Sequence, residues 1–246
     1  MDDKNEAIIY DFILSIDVGI KNCSYIILRN NYHKDNAVDN IATKLDIDKF
    51  KNLDFSNGEN CNSISLMQLN NNIIKSFKEE FDDFFNFTDR IEAEVLILIE
   101  DQMSGRMKCI QNMMASYFII NHYGYFDYNI VFFVSPKQKL KPFNEKGQDP
   151  FKTPTSSGIV AGCSSHKKNK NKAESIMKNI MIPQMKAECL DGDGNPKVFK
   201  LKEYIDCYTG LKKQDDMADA FLQALYYLLN PFTSAENKLI NNRYFR

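Results

Sequence analysis

Three features of this 246-residue sequence predict a mixed α/β fold, a five-stranded sheet flanked by helices. First, "FILSI" at 12–16, "EVLILIE" at 94–100 and "NIVFFV" at 129–134 are short apolar runs with the length and β-branched or aromatic content of buried strands. Second, the stretches between and after them place apolar residues at helical spacing. Third, 43% hydrophobic and 12% aromatic residues are enough to fill a sizeable core, which excludes wholesale disorder.

The elements follow in order. "FILSI" ends at Asp17, and after a turn containing Gly19 the run "CSYIILRN" at 23–30 returns as its hairpin partner. "KDNAVDNIATKLDI" at 34–47 predicts a weaker third strand. Residues 50–62, rich in Asn, Ser and Gly, predict a loop, so that 31–62 reads as an insertion. From Ser63, Leu66, Leu69, Ile73, Phe77 and Phe81 recur at helical spacing. "EVLILIEDQ" at 94–102 is a second core strand, followed after Gly105 by a helix that Gly124 closes. "NIVFFVSP" at 129–136 is a strand stopped by its proline. Residues 141–166, with Pro142, Pro150 and Pro154 among Gly, Ser and Thr, predict an inserted loop or flap. A helix is expected from about Lys172, an insertion with turn residues over 188–213, and a closing helix over "DDMADAFLQALYYLL". The whole reads as one domain of α/β layers.

Charge and cysteines narrow the function. A net charge of −2 argues against a nucleic-acid protein, unless acids are committed to metal; setting four aside moves the balance to +2. The six cysteines include no C-x-x-C pair, so reduced thiols are expected rather than zinc ligation. The acidic start "MDDKNEAIIY" has no signal-like apolar run, and no stretch reaches the ~18–20 apolar residues of a membrane span. A soluble, intracellular chain is expected.

Acids stand where a core should be apolar. Asp17 ends the first strand, Glu100 and Asp101 end "LILIE", and Asp215, Asp216 and Asp219 open the last helix. Asp216 and Asp219 are i and i+3 and share one helix face, flanking an apolar stripe of Met217, Ala220, Phe221, Ala224 and Leu228. Were Asp17, Glu100, Asp216 and Asp219 to converge, each pair would repel by roughly 4 kcal/mol at about 4 Å and an effective dielectric of about 20. Hard divalent cations relieve that repulsion, and carboxylate oxygens are what Mg²⁺ prefers. Two such ions would suit phosphodiester hydrolysis. An acid at a strand end also serves as a helix cap, and acids at a helix start favour its dipole.

The segments "SIDVGIKN", "LILIEDQ", "VSPKQ" and "KKQDDMADAF" resemble, in that order, the signature segments of RuvC-like Holliday junction resolvases. The first and last look most like the poxvirus and fungal mitochondrial branches, and the acidic N-terminus favours the poxvirus one. The match covers the core elements, about a third of the chain. The resemblance implies an RNase H-like fold, a homodimer, and Mg²⁺-dependent paired nicking of four-way and other branched DNA, with Mn²⁺ able to substitute. It maps the family's acids onto Asp17, Glu100, Asp216 and Asp219, with Asp215 the alternative ligand. It also implies a soluble protein at sites of viral DNA replication in the host cytoplasm.

The lysines fit such a substrate. Lys137, Lys139 and Lys141 follow the third strong strand, and Lys167, Lys168, Lys170 and Lys172 precede the expected helix. Flexible lysines suit phosphate contacts, which supply most sequence-independent DNA affinity. The family places a lysine beside the metals; Lys139 is the first choice and Lys141 the second. Lys21 is close enough to the first turn to touch a phosphate, while Gly19 and Asn22 equally suit the turn itself. Tyr117, Phe118, Tyr123, Tyr125 and Phe126 read as core or dimer contact, and Met113, Met114, Tyr117 and Phe118 mark their helix as the expected dimer surface. "DGDGNPKVFKLK" at 191–202 imitates a calcium loop but has Pro196 and Lys202 where glycine and glutamate belong. The remaining alternatives are a junction-binding module that does not cut and another RNase H-like nuclease.

Overall fold

The computed structural model describes residues 10–30, 45–122, 130–137, 140, 165–183, 185, 199–211 and 214–229. Its centre is a five-stranded sheet in the order β3-β2-β1-β4-β5. The strands are β1 (Phe12–Asp17), β2 (Cys23–Asn30), β3 (Leu45–Leu53), β4 (Val95–Glu100) and β5 (Ile130–Val134). The first three form an antiparallel meander, and β4 and β5 continue parallel to β1. Order and sense together are those of an RNase H-like sheet.

The period-2 alternation of strand side chains divides the core in two. Phe12, Leu14 and Ile16 of β1, with Tyr25 and Ile27 of β2 and Val95, Ile97 and Ile99 of β4, face α1 (Leu66–Arg90) and α2 (Gly105–His122). Ile13, Ile26, Leu28, Leu96 and Leu98 face the opposite layer. That layer consists of α3 (Ser165–Ile176), a π-helical turn (Met177–Met181), α4 (Phe199–Gly210) and α5 (Asp215–Leu229). Covered on both faces, β1 and β4 can be apolar throughout, which is why they read so clearly in sequence.

α1 starts with a capping box: the Ser65 side chain accepts from the Gln68 amide, and the Gln68 side chain accepts from the Ser65 amide. Its buried stripe, Leu69, Ile73, Phe77, Phe81, Phe84 and Phe85, lies on the sheet and against Tyr117 and Phe118 of α2. Each such side chain contributes about 1.5–3 kcal/mol by burial, and Phe77→Ala would cost about 3–5 kcal/mol.

Several boundaries differ from those the sequence suggests. The expected loop from residue 50 begins at 54, because residues 45–53 form the edge strand β3 inside the stretch read as an insertion. The lysine-rich helix α3 begins at Ser165 rather than near Lys172. The stretch 188–213 contains α4, whose Tyr204, Ile205 and Tyr208 are buried. Phe199–Lys202, the end of the calcium-loop imitation, is the first turn of that helix. The helix expected as a dimer surface is also corrected: Met114, Tyr117 and Phe118 are buried in the core of the chain itself, and Met113 packs against that core. Gly124, Tyr123, Tyr125, Phe126 and the 141–164 stretch lie outside the described residues.

Candidate metal centre

The centre is assembled where β1 and β4 end. In the parallel pair Ile16 lies beside Ile99, so the next step of the register sets Asp17 beside Glu100. Both side chains belong to the face covered by α5, since they continue the series Ile13, Ser15, Asp17 and Leu96, Leu98, Glu100. α5 packs on β1 and β2, and its first two turns carry Asp215, Asp216 and Asp219, all buried. Carboxylate oxygens of Asp17, Glu100 and Asp219 all lie within 4.8 Å of one another. Asp17 and Asp219 are buried, and Glu100 is half-buried.

Of the acids singled out in the sequence, these three are brought together. Asp216 and Asp215 are buried in the same stretch of helix but outside that group. Asp101, next to Glu100, turns away to an ion pair with Lys108 of α2, whose ammonium also lies 5.4 Å from the centre of the Phe133 ring.

Three carboxylates so close repel one another at roughly 4 kcal/mol for each of the three pairs. An all-oxygen donor set of this kind suits a hard divalent cation. Cys23, whose thiol is close enough to feel Asp17 and Asp216, does not alter that preference. Burial pushes its thiol well above the ordinary range, and the two carboxylates add to the effect. A protonated thiol is a poor metal ligand.

The backbone holding the acids is tightly constrained. A Cβ on Gly19 would sit 2.3 Å from the carbonyl oxygen of Asn22, so only glycine fits the turn that follows Asp17. Phe55 donates its amide to the Ile20 carbonyl at 2.8 Å, tying that turn to the chain leaving β3. On α5, Gln223 lies one turn beyond Asp219 and is buried. Its amide nitrogen is 3.3 Å from the Leu98 carbonyl and 3.5 Å from that of Ile16. Those carbonyls belong to the strands carrying Glu100 and Asp17, so one side chain clasps the helix to both. Gln102 donates to Glu100 Oε2 at 2.9 Å. The signal for Gln223 was a lone amide inside the apolar stripe of α5.

The lysines are placed less completely. Lys21 is exposed beside the first turn, and Lys137 is exposed after β5. Lys167, Lys168 and Lys170 lie on α3, a helix rather than a loop, with Lys172 half-buried on its next turn. Burial pulls the Lys172 ammonium below its ordinary value. Lys139 and Lys141 lie outside the described residues. No helix among the described residues is long and apolar enough to cross a membrane.

No protein-family model matches the chain, and neither does any curated protein. Solved structures similar to it include the Fowlpox virus resolvase with its substrate Holliday junction DNA, at 15% identity and a TM-score of 0.45, covering 89% of this chain and 97% of that one. The yeast mitochondrial Holliday junction resolvase Ydc2 is similar at 19% identity and a TM-score of 0.46, covering 88% and 78%. RuvC of Thermus thermophilus is similar at 10% identity and a TM-score of 0.42, covering 89% and 96%.

Proposed function

We propose that this protein is a Holliday junction resolvase, a metal-dependent endonuclease that makes paired, symmetric nicks in four-way DNA. The observation carrying this reading is the convergence of Asp17, Glu100 and Asp219 at the ends of β1 and β4 and the start of α5. The resemblance of four sequence segments to RuvC-like resolvases supports the choice of substrate. In this reading the three carboxylates hold Mg²⁺, with Mn²⁺ able to substitute and with Asp216 and Asp215 in reserve beside them. When bound, a pair of such ions supplies an activated water and charge compensation at the leaving oxygen.

The chain's own groups do the rest. The acids fix the position of the ions at the carboxyl ends of the interior strands β1 and β4, where half-buried Glu100 meets solvent. Lys139, or else Lys141, steadies the scissile phosphate. Lys21, Lys137, Lys167, Lys168, Lys170 and Lys172 contact the DNA backbone away from the cut. Two copies of the chain face opposite strands of one junction, because one set of acids makes one cut and resolution needs two.

The test is a four-way junction labelled in turn on each strand, incubated with the full chain in Mg²⁺, in Mn²⁺ and in chelator. Symmetric nicks in opposed strands are expected only with metal. Junctions that are bound but stay intact would reduce the protein to a binding module. Equal cutting of linear duplex would point to a different nuclease.

A further inference from the structure

We infer that Gln102 is a positioning residue for the Glu100 carboxylate, held in place in turn by Gln111. The inference rests on the metal-centre reading above and adds to it the means by which the longest and most exposed of the three acids is oriented.

Glu100 stands where β4 leaves the sheet. The last tie there is the Asp101 amide donating to the Val134 carbonyl at 2.7 Å. From that point the chain is free of the ladder until α2 begins at Gly105. Gln111, on the second turn of α2, is fully buried and accepts the Gln102 backbone amide on its Oε1 at 2.9 Å. With its backbone pinned, Gln102 turns its side chain back, and Nε2 donates to Glu100 Oε2 at 2.9 Å. A buried amide on a helix thus fixes a loop residue, which fixes a carboxylate.

Chemistry explains why the link is an amide. Of the three acids, Glu100 has the longest side chain and the greatest exposure, so it has the most rotamer freedom to lose. A neutral donor restrains it without cancelling charge. A lysine in the same place would neutralise one of the negative charges that a divalent cation needs, and a carboxylate would add repulsion. Asp101 is kept out of this role by its pairing with Lys108. Partners of metal ligands typically govern metal affinity by about 10–100-fold, and that is the size of effect expected here.

The test measures Mn²⁺ binding by the full chain directly, from the electron paramagnetic resonance signal of the free ion, without reference to cleavage. Gln102→Met, which keeps the length and removes the donor, should weaken binding about 10–100-fold. Gln102→Ala should do the same, with thermal unfolding confirming that both variants are folded. In a Glu100→Gln background the further change Gln102→Met should move the affinity by less than about twofold, as expected if Gln102 acts through Glu100. A wild-type chain that takes up no Mn²⁺ would overturn the metal centre and this inference with it. A wild type that binds while both Gln102 variants bind equally well would overturn the positioning role alone. So would an undiminished Gln102 effect in the Glu100→Gln background.

Discussion

Asp219 and Asp216 sit three residues apart on one helix, yet only Asp219 has a carboxylate oxygen within 4.8 Å of those of Asp17 and Glu100. The two acids should therefore part company on mutation. Asp219→Asn should abolish junction cutting, losing more than the roughly 10–100-fold typical of an outer partner, while junction binding by gel shift is retained. Asp216→Asn should cut at a rate close to wild type. Equal loss from both would return Asp216 to the ligand set. In metal-free buffer Asp219→Asn should also raise the melting temperature, because it removes charge repulsion from Asp17 and Glu100. A gain of about 1 kcal/mol corresponds to about 2–4 °C for a chain of this size. The acids were legible in sequence because a carboxylate inside an apolar run has few explanations. Gln102 and Gln111 were not, because an amide is as common on a surface as in a buried clasp, and Gln223 left only the trace of a lone amide inside an apolar stripe.

At the scale of elements, legibility followed burial. β1, β2, β4, α1 and α5 are long apolar or strongly periodic stretches, and the sequence placed them well. β3 was harder: as an edge strand it alternates Asp46, Asp48, Lys49 and Lys51 with few apolar residues, and such a pattern imitates a loop. The charges that hid it also fasten it. Lys49 and Lys51 of β3 both pair with Glu80 of α1, which also accepts the Tyr25 hydroxyl of β2 at 2.8 Å. Burial alone would raise the Glu80 carboxyl, but hydrogen bonds from Lys51, Tyr25 and Lys49 bring it below its ordinary value of 4.5. A carboxyl lowered by folding contributes stability above its unfolded value and loses it as pH falls through the folded one. Because both lysine side chains are more than a third exposed and solvent screens the pairs, Glu80→Gln should cost only about 1 kcal/mol in urea unfolding at neutral pH. The gap from wild type should close as the pH is taken below 4.5. A gap that is constant with pH would mean that packing, not charge, binds β3 to α1. The start of α3 and the whole of α4 were misread for a related reason: lysines in one and turn residues just before the other look like loop in sequence.

At the scale of the whole molecule, the proposed paired cutting calls for two copies of the chain. Sedimentation of the wild type at micromolar concentration should show a homodimer. A monomer that nicks both strands in a single binding event would defeat that expectation. The surface cannot be centred on Met114 and Phe118, because a charge inserted at either would enter the core and unfold the chain rather than separate two copies. The sequence suggested that surface because a helix apolar on several sides looks alike whether it meets a partner or, as α2 does, both a sheet and α1.

Asp17, Glu100 and Asp219 come from the first strand, the fourth strand and the last described helix, joined by a parallel pairing that closes only after α1 has been laid down. No fragment lacking any of these three elements possesses the centre. A nascent chain, a proteolytic remnant or a copy stalled before α5 docks therefore lacks the centre, however well its early strands have paired. For the proposed nuclease, completion of folding would be the safety catch.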